Sequence, residues 1–360
     1  MDINLEASEL TRKSQRLSRR FCVAPMMDWT DRHCRYFLRG FSPRVLLYTE
    51  MITAQAILRG DRARLLAFDA EEHPLALQLG GSEPHALAAA ARAGEEAGYD
   101  EINLNCGCPS ERVASGAFGA CLMGEPRRVA DCIAAMRAAV RVAVTVKMRI
   151  GVVWGKGADA SAAMRGFDER DRAALEEFVA AMRAAGCGAV IVHARKAVLG
   201  GLSPKENREV PPLRYEVVRR LKSEHAGLTV VVNGGLRTAE AVLDALRWCD
   251  GVMLGREAYH HPFLLAELHA ALHAAEGSPE VSRAALLERM TAYAERQLAA
   301  GERLASITRH MLGLCAGEPG AREFRRLLSE GARGSHEGVE PLRRAAALLR
   351  SPGTAVAYNR

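Results

Sequence analysis

No run in this 360-residue chain approaches the roughly eighteen consecutive apolar residues that cross a bilayer as a helix, so an ordinary membrane protein is excluded. The first twenty residues carry Arg12, Lys13, Arg16, Arg19 and Arg20 but no apolar core, so no secretory signal is read there and a cytoplasmic location is expected. Nine cysteines, an odd number without a repeating spacing, do not form a disulfide framework; they read as reduced thiols, mostly buried. Zinc spacing is also missing. Cys106 and Cys108 are too close together for a chelating pair, and no second Cys or His pair completes a tetrahedron, so no metal is expected.

What is present is ordinary globular composition, 49% hydrophobic and 26% charged, in a chain long enough for one large core and a smaller second unit. The net charge of +6 is unevenly placed, with thirteen Arg against eight Glu from Val281 to the end. A basic appendage on a near-neutral body points to a polyanionic partner, although Arg-rich helices also arise from helix propensity and solvation alone.

From Phe21 onward, short apolar β-branched runs alternate eight times with amphipathic Ala-rich segments. Strands are predicted at Phe21–Met26, Val45–Thr49, Pro74–Leu79, Glu101–Asn105, Val142–Arg149, Ala189–Ala194, Thr229–Asn233 and Gly251–Leu254. Helices are predicted between them, among them Glu83–Ala97, Arg127–Val140, Asp168–Ala185, Leu213–Lys222 and Thr238–Trp248. Eight such units predict an α/β fold, a closed (β/α)8 TIM barrel, with a doubly wound open sheet as the alternative. Two loops, Gly151–Phe167 and Lys196–Pro212, exceed what a barrel needs and fall on the face that carries function. After Pro262 no strand pattern returns, and about four helices over 282–350 predict a C-terminal all-α bundle. The expected organisation is an N-terminal extension (1–20), the barrel (21–276), the helical domain (277–350) and a tail (351–360), acting as a monomer.

The chemistry gathers around residues 101–123. Ile102 and Leu104 share one strand face, Asn103 and Asn105 the other, and Cys106, Cys108 and Pro109 follow at the strand's carboxyl end, where α/β barrels keep their active sites. Gly116 and Gly119 let the chain turn tightly beyond. The seventh and eighth strands end in Asn233-Gly234-Gly235 and Gly255-Arg256, glycine amides and a cation suited to a phosphate. Lys147 and Arg149 share a parity on the fifth strand, as do His193 and Arg195 on the sixth, so each pair can enter the barrel mouth and meet an anion such as the N1–C2 carbonyl edge of a reduced flavin. Gln78 can pair with a heterocyclic edge, and Pro25, Met26 and Met27 offer a surface for a flat ring. Core packing explains the methionines equally well in isolation, a satisfied core histidine is an equal reading for His193 alone, and a core ion pair with an Asp or Glu is the alternative for Lys147.

The runs VAPMMDWTDRHCRYFLR, LNCGCPS, GAFGACLM, VKMRIG, HARKAVLGGLSPKENREVPPL, VNGG and GVMLGR together resemble the tRNA-dihydrouridine synthases, and the HARKA to LSPKENR block resembles their A subfamily. The resemblance implies an FMN enzyme that uses NADPH to reduce the C5–C6 bond of uridines 20 and 20a in the tRNA D-loop, with hydride to C6 and a proton from Cys108 to C5. It further implies flavin contacts at Pro25, Met26, Met27, Gln78, Lys147, His193, Asn233, Gly234, Gly235, Gly255 and Arg256. Contacts to tRNA are implied at Asn105, Lys205, Arg208, Arg322 and Arg325. Cys106 stands where the family commonly has an apolar residue, so the choice of Cys108 over Cys106 rests on the resemblance, and the loop after Arg149 looks longer than usual. A flavin barrel acting on a free small molecule, of dihydroorotate or enoate type, and a non-catalytic tRNA-binding protein are the alternatives.

Overall fold

The computed structural model describes residues 17–110, 116–274, 281–330 and 338–350. Most of the N-terminal extension, the start of the expected helical domain (277–280) and the tail lie outside the described residues. Two compact units emerge.

The first is a closed parallel barrel. Its strands are β1 (Phe21–Val23), β2 (Leu46–Thr53), β3 (Leu75–Gly80), β4 (Glu101–Cys106), β5 (Ala143–Arg149), β7 (Ala189–His193), β9 (Thr229–Asn233) and β10 (Gly251–Leu254), with β10 pairing back onto β1. The closure rules out the open-sheet alternative, and each predicted strand is found within a few residues of its expected place. The helices of the alternation form where their ends are satisfied. Pro84 opens Pro84–Ala97, which closes on Gly98 at φ 104, a left-handed geometry that glycine adopts without strain. Asp168 and Asp171 make a reciprocal capping box at the start of Glu169–Ala184.

Between β5 and β9 the long loops hold a second sheet that periodicity did not reveal. β6 (Val152–Trp154) pairs in parallel with β8 (Ala197–Leu199), and Val153, Val198 and Met164 of the helix Ala158–Arg165 pack together against them. Three-residue strands are too short to carry a period. Asn207, fully buried, staples the following turn to β8: its Oδ1 accepts from Val198 N (2.7 Å) and its Nδ2 donates to the carbonyls of Val198 and Leu202 (both 2.9 Å).

The barrel interior is divided. One side is apolar, built from Cys22, Ala24, Leu46, Ala76, Ile191, Val231 and Met253, with the Tyr48 ring among them. The other carries buried polar side chains along β3, β4 and β5, and at its floor Glu101 meets Arg19 at 2.5 Å, with Glu101 fully buried.

The second unit collects Met27–Val45, Asp69–Glu72 and the chain from Arg256 onward. Its helices include Arg32–Arg39, Phe263–Leu272, Arg283–Ala299, Leu304–Thr308, Ala321–Glu330 and Glu340–Arg350. Tyr36 stacks on Tyr293 at 3.9 Å between ring centroids, and Arg35 pairs with the buried Glu72 at 2.7 Å. Among the described residues no helix is long and apolar enough to cross a membrane.

Breaking a buried pair strands the remaining charge. Arg19→Met is expected to destabilise the barrel by about 3–5 kcal/mol, measured as a shift of the urea unfolding midpoint.

Candidate functional site

The mouth at the carboxyl ends of the strands receives side chains that strand register aligns. Gln78 pairs with Asn103, Asn105 with Lys147, Arg149 with His193, and His193 with Asn233, so these residues share the inward face. Asn105 also shapes the loop that follows it. Its Oδ1 accepts from the backbone N–H of Gly107 and of Cys108, each at 3.0 Å, which turns the chain over the strand end and leaves Cys108 partly exposed. The Cys108 Sγ lies 3.6 Å from Ser110 Oγ.

The same register separates the two neighbouring thiols. Cys106 is in β4 on the parity of Ile102 and Leu104, is fully buried, and has a thiol pushed well up by burial, with Cys132, Cys187 and Cys121 around it. It faces the helix layer, away from the mouth.

Lys147 is half-buried, with Nζ 3.2 Å from Asn233 Oδ1; Asn233 in turn donates to Met253 O at 2.7 Å. Loss of hydration, then the neighbouring Arg149, lowers its pKa to about 7. His193 is pulled well below its ordinary value by burial and then by Arg149, Lys147, Arg195 and Arg208, so it is a neutral imidazole at neutral pH. The groups acting on it are all cationic, which leaves a strongly positive mouth. Gly234, at φ 106, approaches this ring so closely that a Cβ would lie 2.6 Å from His193 Cδ2.

Two arginines expected to point into the mouth do other work. Arg149 is buried and donates to the carbonyls of Gly107 (3.2 Å), Lys196 (3.3 Å) and Asn207 (2.9 Å), tying the loops after β4 and β7 together. Burial also draws its pKa down from the ordinary guanidinium value. β7 ends at His193, and Arg195 swings to the carbonyls of Glu209 and Pro211.

The remaining predicted residues fall as follows. Pro25 and Met26 are half-buried after β1, with the Met26 sulfur 4.0 Å from where a Cβ of Gly255 would stand; Gly235 adjoins Gly234 after β9. Lys205 and Arg208 are exposed on the turn stapled by Asn207. Met27, Arg256, Arg322 and Arg325 belong to the helical unit, where Met27 and both of the last two are exposed. Arg326, the third cation of that helix, is held by Glu323 at 2.6 Å and Glu330 at 3.6 Å. Thr145 and Glu101 were not singled out in the sequence, yet both join the inward polar column; their strand parity with Lys147 and with Asn103 was the available signal. Among the described residues no group of three or more His, Cys, Asp or Glu could hold a metal.

The family model described as "Dihydrouridine synthase (Dus)" matches residues 22–350. A Pseudomonas aeruginosa protein named "tRNA-dihydrouridine(20/20a) synthase" is 55% identical over 93% of this chain and 96% of its own length. Proteins of that name from Shewanella oneidensis and Vibrio cholerae are each 50% identical, over 91% and 92% of this chain and 93% and 96% of their own.

Because the Lys147 pKa is lower in the folded chain than its ordinary 10.5, its charged form opposes folding: the cost is complete below about pH 7 and fades as pH rises toward 10.5. Lys147→Met is therefore expected to gain stability over the unsubstituted protein at pH 6, with the gap narrowing at pH 9.5 in parallel thermal melts.

Proposed function

The chain belongs to the dihydrouridine synthase family, and from that premise we propose that it reduces uridines 20 and 20a of tRNA across the C5–C6 bond, with FMN bound and NADPH as electron source. The observation that carries the reading is one barrel mouth holding a partly exposed thiol, Cys108, beside a half-buried Lys147 whose charged neighbours are cationic or the thiol itself. Side chains carry no hydride donor, so FMN, when bound, would supply the hydride that C6 receives.

The residues present suit that group. Lys147 would place its ammonium at an electron-rich ring edge, and an anion there would raise its pKa and keep it charged. His193, neutral, would bind without adding charge. Gln78 would offer an amide hydrogen to the ring, and Pro25, Met26 and Met27 an apolar surface. The amides of Gly234, Gly235 and Gly255, with Asn233 and Arg256, would hold the phosphate-bearing side.

Cys108 would deliver the proton to C5, from a loop whose position Asn105 sets through two backbone hydrogen bonds. Cys106 is turned away and buried, which supports Cys108 as the acid. The uridine has to leave its stack to reach the mouth. Asn105 would meet the base, Lys205 and Arg208 the RNA at the barrel rim, and Arg322 and Arg325 phosphates on the helical unit, where both are exposed. Arg326, already matched by two carboxylates, would contribute less. The enzyme in this reading is a cytoplasmic monomer.

Cys108→Ala is expected to leave the purified protein folded and yellow yet to abolish most dihydrouridine formation, scored by mapping the modified base in tRNA; wild-type levels would assign the proton to another group. Replacing Arg322 and Arg325 together by Ala should weaken tRNA binding and lower the slope of log K against log salt by about one per lost phosphate contact. An unchanged slope would remove these two arginines from the RNA surface.

A further inference from the structure

The buried polar side chains of β3, β4 and β5 make a single file of hydrogen bonds whose direction is set at both ends. At the upper end Asn105 Oδ1 accepts two backbone N–H groups, so the group it turns to Gln78 is Nδ2, 2.9 Å from Gln78 Oε1. Gln78 then directs Nε2 to Asn103 Oδ1 at 2.8 Å, and Asn103 directs Nδ2 to Thr145 Oγ1 at 2.8 Å. At the lower end Thr145 Oγ1 lies 2.6 Å from Glu101 Oε1. That carboxylate faces Arg19 through its other oxygen and also takes the Tyr48 hydroxyl at 2.6 Å, so here it only accepts. Thr145 has one proton and gives it to Glu101; its oxygen must accept from Asn103. Both ends demand the same direction, with every donor pointing toward the barrel floor.

The upper end inherits a definite chemistry. Asn105 has spent its oxygen on Gly107 and Cys108 and one amide hydrogen on Gln78, which leaves a second Nδ2 hydrogen as its free polar group. An apolar filling of this side, like that around Ile191 and Val231, would be about as stable, so stability alone does not account for burying five polar side chains here.

We propose that Glu101, Thr145 and Asn103 are positioning residues: the file they anchor fixes Asn105 as a hydrogen-bond donor and holds the Gly107–Cys108 backbone, so the mouth accepts a ring that presents a carbonyl oxygen, not an N–H, to Asn105. This deepens the functional reading above and rests on it for the identity of the ring.

Thr145→Val removes the hydroxyl that joins Asn103 to Glu101 at nearly constant volume, and Thr145→Ser keeps it. Hydrogen–deuterium exchange on the full chain with its bound cofactor should show the Gly107 and Cys108 amides exchanging about five-fold faster in the Val variant, the factor carried by one net hydrogen bond. Its kcat for uridine reduction should fall about ten-fold with KM for tRNA unchanged, as for a misplaced reacting group. Thr145→Ser should restore both. Should the Val variant fail to fold, Thr145→Cys, a weaker donor of similar size, should exchange faster and turn over more slowly than Thr145→Ser, in the direction expected of Val. Wild-type exchange and kcat in the Val or Cys variant, or no rescue by Ser, overturns the proposal. Absence of tRNA reduction by the wild-type protein would instead overturn the functional reading, while the exchange comparison would still judge the file.

Discussion

A closed parallel barrel shuts water out of its axis, so every polar side chain aimed inward has to be matched by another. Here that requirement is met on one side only. Glu101 is desolvated at the floor, and Arg19, Tyr48 and Thr145 converge on it. Such a charge cluster adds little net stability, because desolvation offsets attraction, but it is intolerant of change and imposes a direction on whatever is hydrogen-bonded above it. The order of the mouth descends from this constraint: Thr145, Asn103, Gln78 and Asn105 each orient the next, and Asn105 turns the backbone that carries Cys108.

The mouth reverses the balance of the floor. Lys147, Arg149, Arg195 and Arg208 raise the potential around His193, and burial makes the charges of Lys147 and Arg149 costly. Arg149 recovers part of that cost by donating to three loop carbonyls, so the same cation that makes the mouth positive also braces its rim. Among the described residues Lys147 meets the amide oxygen of Asn233, and its ammonium is the group placed to meet an incoming anion. A site of this kind is prepared by its gathering of cations, which is the physical sense in which the fold anticipates a ligand.

Much of the barrel was legible in the chain. β-branched runs such as TVVVN and AVIVH, spaced by capped Ala-rich helices, announce parallel strands covered on both faces. The inward parity of Asn103 and Asn105 was equally plain. Less so were the two strands β6 and β8, which have three residues each, and the redirection of Arg195, whose strand stops two residues earlier than the expected parity required. Thr145 passed as an ordinary β-former and Glu101 as a strand's polar first residue, because nothing local shows that Arg19, 82 positions away, arrives to meet it.

Periodicity and end-capping are short-range properties, encoded within a dozen residues, and from them followed the eightfold alternation, the helical C-terminal stretch and the loop on which Cys108 sits. Which of two thiols faces the mouth, which arginine braces loops and which amide hydrogen is left free are matters of register and of hydrogen-bond partners brought together across the closed sheet. Closure sets those partners, since a donor's direction depends on what stands opposite it in space and no neighbour along the chain supplies that.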